Sequence, residues 1–537
     1  MTAPVDAARP AGLARSMALM SALTAVSRAT GFVRIVVVAA VLGTTFLGNV
    51  YQSANTVPNV VFELVVAGVV QAVLIPALVL RLDRDDPAGA EHLAGAVLGL
   101  ATLALVVVAA VGALVAPWLA RALFAGAADP GVRAEQARLG AVLLWFFLPQ
   151  VVCYGAGLVA TSVLNAHDRF TAGAVAPLAN NVVVIAACAV FWRLRDGAGT
   201  DIDLTAAETW VLAGGTTLGV VAFCGLPVLV VLRSGFRLRP NLDHRHPEVR
   251  RLARQGAWAG ALLASTQLLL VTVLVLGNRV EGGVVAYQVG FQFFLLPYAL
   301  FALPVLTGLF PTMSRRFVAG DEAGFADAVR RGVRTIAYLV AGAAALLGAL
   351  GGLVSRGVLF GETTPAGAAQ VAGALAGFAP GLVGYALFLF ASRVSYARGD
   401  TRTPALVSLV VVVAGSAAMV LASAMVPDRH RVTALAAGHS FTYLVGAAAL
   451  LGRTAATGSP RPASLLAEVA RPVAAASAVG AVLAAAVAVA DPSGRAAVLA
   501  ALAVLGAAGT AGYLVLVRAL GGPAPGELVG ALRTGTG

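Results

Sequence analysis

The chain has 537 residues, of which 59% are hydrophobic and 12% charged, with a mean hydropathy of +0.89. A soluble domain carries about 25% charged residues, so this composition excludes a water-covered globular surface. The formal charge of +12 is carried by arginine, since no lysine occurs. A membrane protein gathers such residues on its cytoplasmic loops, so nucleic acid is not an expected partner.

Apolar windows between charged or Pro/Gly-rich breaks predict an all-α integral membrane protein of about fourteen spans. The first six are 16–43, 57–80, 93–120, 139–164, 173–192 and 209–232. Six more follow at 256–278, 284–312, 335–355, 367–392, 404–426 and 432–452, and 470–490 and 496–517 close the chain. Laid on alternate sides, the connections place 25 arginines on one side and 10 on the other, with Arg28 and Arg34 inside the first span. Lys/Arg excess marks the cytoplasmic side, so both termini are expected there. The first apolar stretch is long and interrupted by arginine, unlike a cleaved signal peptide.

The two halves echo each other. Val-Leu-Gly at 41–43, Tyr51 and Pro76 reappear as Val-Leu-Gly at 275–277, Tyr287 and Pro311. Pro149, Tyr154, Asn165-Ala166 and Asp168-Arg169 reappear as Pro380, Tyr385, Tyr396-Ala397 and Asp400. The offsets stay within 231 to 236 residues, the looser Pro58/Pro297 pair apart. Such an echo predicts two six-helix lobes, residues 1–235 and 236–455, with residues 456–537 as a two-helix appendix. An even number of spans inserts both lobes in the same orientation, with the substrate path expected between them.

Charged residues inside a span are functional candidates, because each is costly in hydrocarbon. Arg28 and Arg34 qualify first, and guanidinium pairs bidentately with phosphate oxygens. Six residues of helix set them roughly 120° apart, so both can line one cavity only on a wide or bent face. Glu63, deep in the second span, is expected to pair with one of these arginines or to serve as a proton or cation coupling site. Asn59, Gln71, Asn180, Asn181, Gln267, Gln288 and Gln292 are buried amides suited to helix-to-helix hydrogen bonds. Gln288 and Gln292, four residues apart, share one face. Cys153, Cys188 and Cys224 fall in apolar stretches without ligand spacing, and His244 and His246 in an arginine-rich loop. No metal site, catalytic motif or cofactor is expected, and the coupling ion is left open. The seven arginines from Arg233 to Arg254 suit anionic lipid headgroups.

The segment Ser27-Arg28-Ala29-Thr30-Gly31-Phe32-Val33-Arg34 resembles the S-R-x-x-G-F-x-R signature of the MurJ/MviN family of lipid II flippases. Pro58-Asn59, Gly68 and Pro76, then Leu148-Pro149 with Tyr154, Leu164-Asn165 and Arg169-Phe170, continue the likeness. Ala397-Arg398 and Thr403-Pro404 extend it, so that it covers roughly residues 16–450. The resemblance implies two six-helix lobes around a central cavity and two extra helices forming a lipid-tail groove. It implies alternating-access transport of undecaprenyl-pyrophosphate-linked peptidoglycan precursor to the outer leaflet of the bacterial cytoplasmic membrane. Arg28 and Arg34 would bind the pyrophosphate, with Asn59, Glu63, Gln288 and Gln292 lining the cavity and cell-wall synthesis proteins as further partners. The chain departs from the pattern at Ile35, Phe62-Glu63 and Gln292, where the family often carries Asp, a basic pair and Arg. Alternatives are export of another lipid-linked glycan or of a cation, or a non-transporting cell-wall scaffold.

Overall fold

The computed structural model describes residues 9–64, 68–195, 199, 201–245, 247–250, 267–456, 462–522 and 526. Every regular element among them is helical. The first half contains α1 (Arg9–Leu42), α2 (Phe46–Phe62), α3 (Gly68–Leu82), α4 (Pro87–Leu123), α5 (Pro130–Phe147), α6 (Gln150–Ala166), α7 (Thr171–Leu194) and α8 (Ala206–Arg233). The second contains α9 (Gln267–Gly277), α10 (Gly283–Val318), α11 (Glu322–Val358), α12 (Pro365–Ala397), α13 (Arg402–Met425) and α14 (Asp428–Ala456). Then come α15 (Pro462–Ala490) and α16 (Arg495–Ala519).

Twelve stretches among the described residues are long and apolar enough to cross a bilayer. They correspond to twelve of the fourteen expected spans. The second span is described as α2 and α3, on either side of 65–67, and the seventh only as α9. Residues 256–266 of that seventh span lie outside the described residues, as do His246 and the side chain of Gln71.

Several helix starts follow from local chemistry. Asp86, Asp129 and Thr364 each precede a proline, whose missing N–H costs nothing at the first helical position. Their side chains accept the N–H of Gly89 (2.8 Å), Gly131 (2.6 Å) and Gly367 (3.0 Å) respectively, which satisfies an orphan donor of the first turn. Pro58, Pro117, Pro177 and Pro380 sit within helices, a placement membrane helices tolerate because neighbours satisfy the freed carbonyls.

The helices form two compact units, Met1–Leu42 with Val50–Gln267, and Gly43–Asn49 with Leu268–Gly537. In the first, α7 packs against α1 and α8, and α6 against α8. In the second, α12 packs along α14 and α11. Gly377, Gly381 and Gly384 form a small-residue stripe against α14, where an added Cβ would strike Thr433, Ser440 and Leu444. Close backbone approach of this kind is how helices associate in lipid, where apolar burial gives no preference for a protein neighbour. Both appended helices, α15 and α16, pack on α11.

The sequence echo is visible as repeated geometry inside each unit. After α3, Arg81 bonds to Asp86 (3.2 Å), Asp86 N–H donates to Arg81 O (3.0 Å) and its carboxylate caps α4. In unit 2, 235 residues on, Arg316 pairs with Asp321 (3.9 Å), Asp321 N–H donates to Arg316 O (3.0 Å) and its carboxylate caps α11. The exits of α6 and α12 repeat likewise. Arg169 N–H donates to Leu164 O (2.8 Å) and Asp400 N–H to Ser395 O (3.0 Å), through the left-handed residues Asp168 (φ +58°) and Gly399 (φ +77°).

Segment Gly43–Asn49 joins two helices of unit 1 yet belongs to unit 2. There Asn49 donates to Val280 O (2.8 Å) and accepts from Val284 N–H (2.9 Å). Thr44 Oγ1 accepts from Thr364 N–H (3.2 Å). The strap leaves α1 through Gly43 in a left-handed conformation (φ +70°), where a Cβ would lie 2.6 Å from Glu362 O. Only glycine meets both demands.

Candidate functional site

The polar residues of the first span are set by its contact with α7. Asn181, buried on α7, donates to Ser27 O (3.3 Å) and Thr30 Oγ1 (3.1 Å). This is the helix-to-helix bond expected of it. Gly31 faces the same amide. Ser27, Thr30, Gly31 and Arg34 follow i, i+3, i+4 and i+7, so they form one stripe. Arg34 is therefore carried into the wall of unit 1, half-buried and within electrostatic reach of Tyr51, Tyr154 and Cys188. Arg28 lies off that stripe and is exposed.

Tyr154 gathers the neighbouring groups. Its hydroxyl lies within hydrogen-bonding reach of Asn59, and its ring packs on Phe62 (5.3 Å) and Phe223 (6.5 Å). Asn59, on the exposed face of α2, also donates to Asn55 O (3.0 Å). Arg34 and Asn59 thus both lie in the electrostatic neighbourhood of Tyr154. Neither Arg28 nor Arg34 forms an ion pair among the described residues, so the carboxylate partner expected at Glu63 is absent. Glu63 is half-buried, with no charged partner among the described residues. Successive helical residues point about 100° apart, so with Phe62 turned onto Tyr154, Glu63 is directed away from it.

In unit 2, Gln288 and Gln292 are half-buried on one face of α10. They alternate with Tyr287 and Phe291, whose rings stack at 6.4 Å. An apolar cavity of about 1010 Å³ opens among α11, α12, α14 and α15, lined by residues such as Ala345, Val383, Leu444, Leu466 and Val473, with Ser477 the polar exception. Of the two appended helices only α15 lines it.

In the sequence Tyr51 stands out only as a repeat marker, and Tyr154 as a repeat marker and part of the family resemblance. Their role as the polar neighbours of Arg34 depends on packing among α1, α2, α6 and α7, which periodicity does not reveal. His439 carries neither mark. The one available signal is a histidine seven residues into the apolar span 432–452.

Two units repeating one helical plan, with an unpaired arginine and polar side chains drawn into apolar helices, define a multi-pass membrane transporter. The family model for lipid II flippase MurJ matches residues 38–499, and the chain belongs to that family. The match begins downstream of Arg28 and Arg34. The probable lipid II flippase MurJ of Rhizobium tropici is 26% identical over 407 residues, 75% of this chain and 74% of its own. The lipid II flippase MurJ of Burkholderia cenocepacia is 25% identical over 404 residues, 75% of this chain and 76% of its own. Among solved structures, an inward closed conformation of the lipid II flippase MurJ superposes with a TM-score of 0.74 at 16% identity. That superposition covers 94% of this chain and 99% of the other. An inward-facing multidrug MATE transporter reaches 0.66 at 13% identity, covering 80% of this chain and 94% of its own. The fold is thus that of MurJ and the MATE transporters.

Proposed function

We propose that this protein carries lipid II from the inner to the outer leaflet of the bacterial cytoplasmic membrane by alternating access, with Arg34 as its principal pyrophosphate ligand. Family membership gives the class of cargo, and Arg34 carries the assignment of the site. An arginine at the centre of a span costs about 2.5–3.5 kcal/mol on insertion scales. No ion pair among the described residues offsets that cost, whereas a pyrophosphate would bond the guanidinium fork and be desolvated only against a matched partner. Tyr154, within electrostatic reach of Arg34, and its neighbour Asn59 supply neutral hydrogen-bond donors. Arg28, exposed on the same helix, meets the anion at entry. The apolar cavity beside α15 receives part of the prenyl chain, so the headgroup alone follows the polar path. The arginine bias supports cytoplasmic termini.

The test is depletion of the protein in its host, followed by the leaflet distribution of lipid-linked precursor. Build-up on the cytoplasmic side, rescued by wild type and not by Arg34→Ala at equal membrane abundance, is the expected result. An unchanged distribution would transfer the reading to another lipid-linked glycan. Rescue by Arg34→Ala would remove Arg34 from the site.

A further inference from the structure

His439, near the middle of α14, is buried to 5% exposure and has no part in the transport reading above. Its Nδ1 lies 2.9 Å from the Tyr287 hydroxyl. Phe291, Phe294 and Phe378 stand around it with ring centroids at 5.2, 5.8 and 5.3 Å and planes at 69°, 86° and 84° to the imidazole. Tyr443 closes the remaining side at 4.9 Å. The other ring nitrogen, Nε2, is buried and has no partner among the described residues. Buried polar atoms are nearly always bonded, so an orphan here calls for a reason.

The duplication supplies an internal control. In unit 1, Tyr51 meets Thr216 of α8 at 2.8 Å and packs edge-on against Phe147 (6.0 Å). The following residue, Thr217, donates to Phe146 O (3.2 Å). In unit 2, Tyr287 meets His439, packs on Phe378 (5.0 Å), and Ser440 donates to Gly377 O (2.6 Å). His439 therefore occupies the place of Thr216. That threonine is fully satisfied, since its hydroxyl also donates to Leu212 O (2.7 Å). The tyrosine contact needs only a hydroxyl, so the additional nitrogen of His439 serves something else.

The titratable groups facing the imidazole are Tyr287 from α10 and Tyr443 from α14 itself, with Tyr385 of α12 one ring behind, 4.8 Å from Tyr443. Helices α13 and α15 also touch α14. Their charged side chains lie near their starts: Arg402 on α13, and on α15 Arg471 and Glu468, the last paired with Arg334 (3.6 Å). Among the described residues no carboxylate faces the ring, so an imidazolium sealed in this cluster would lack a counter-ion. In the tautomer whose Nδ1–H donates to the Tyr287 oxygen, Nε2 presents a lone pair. A proton can join it only where α10 draws back from α12 and α14 and admits water. The aromatic faces then attract the resulting cation. Proton binding thus favours whichever conformation opens the cluster.

We propose that His439 is a proton-binding site of unit 2, taking a proton from water on Nε2 when the cluster opens and returning it to water when the cluster closes. The purpose of such a site rests on the transport reading, but its test does not. Hydrogen–deuterium exchange of α10 in the purified full-length protein, corrected for intrinsic rates, is followed from about pH 8 to about pH 5, where histidine titrates. The expected result is a rise of about tenfold or more in opening at the acid end, abolished in His439→Gln and in His439→Thr, which copies unit 1. In parallel, flipping of a fluorescent lipid-linked pyrophosphate by the protein in liposomes is measured with and without an imposed pH gradient.

A flat exchange profile in the wild type, or a response that survives both substitutions, overturns the site whatever the flipping assay gives. PH-linked opening lost in the variants, with no flipping by the wild type, keeps the site and sinks the flippase reading. Should neither variant fold, selective ¹⁵N-histidine spectra of the wild type decide. One of its six imidazoles titrating in step with the exchange supports the proposal, and none doing so rejects it.

Discussion

Arg34 and Arg28 differ by six positions on one helix, and the difference decides their chemistry. The bonds from Asn181 to Ser27 and Thr30 fix the rotation of α1. Arg34 is thereby kept half-buried within electrostatic reach of Tyr51 and Tyr154, and Arg28 stays exposed. Arg34→Lys is expected to restore function only in part, because a point charge replaces the planar fork; complementation of a depletion strain measures it. Asn181→Leu is expected to cost about 1–3 kcal/mol, since a buried amide pair is broken and Thr30 loses a partner. It should also weaken flipping by releasing Arg34. Denaturation midpoints and the liposome assay together check this, and a loss of stability with full flipping would separate Asn181 from the site. The sequence exposes these arginines through the rarity of charge in an apolar run. It conceals their partners, since Tyr51, Tyr154 and Asn59 come from other helices and are unremarkable types within them.

At the scale of single helices, twelve of the fourteen expected spans, their order and the places of Asp168, Asp400 and the prolines were legible because hydrophobic length and breaking residues are local properties. The rotation of each helix was less so, because most spans here are apolar all round. The Glu63 ion pair failed for that reason: depth in the membrane could be counted, but direction could not. Helix starts offer a quantitative check. Thr403 N–H and hydroxyl both donate to Asp400 at the head of α13, and these bonds hold its carboxyl below the usual carboxylate range. A folded value lowered beneath the unfolded one stabilises fully above the unfolded value, near pH 3.9, and the gain is lost as pH falls through the folded value. Asp400→Ala is accordingly expected to cost about 1 kcal/mol at neutral pH, in the range of a lost helix cap. The gap between wild type and variant should close below about pH 4. Thermal melts across that range measure it.

At the scale of the whole chain, duplication was readable from a steady offset, and the paired Arg-Asp turns and tyrosine contacts give it physical content. What no periodicity could show is that residues 43–49 belong with the second unit. Asn49→Ala removes the partners of Val280 O and Val284 N–H, which are buried, and is expected to cost about 1–3 kcal/mol. The loss should fall on the start of α10, where hydrogen exchange would register it; a uniform loss over unit 1 would contradict the assignment. The strap also dictates an order of assembly. Asn49 leaves the ribosome 231 residues before the carbonyl it will bond, and Thr44 waits 320 residues for Thr364. The nascent chain must therefore hold these early residues uncommitted while most of both units is being made. A stop or a stall before residue 364 leaves a product whose first inter-helix turn has nothing complete to fasten to.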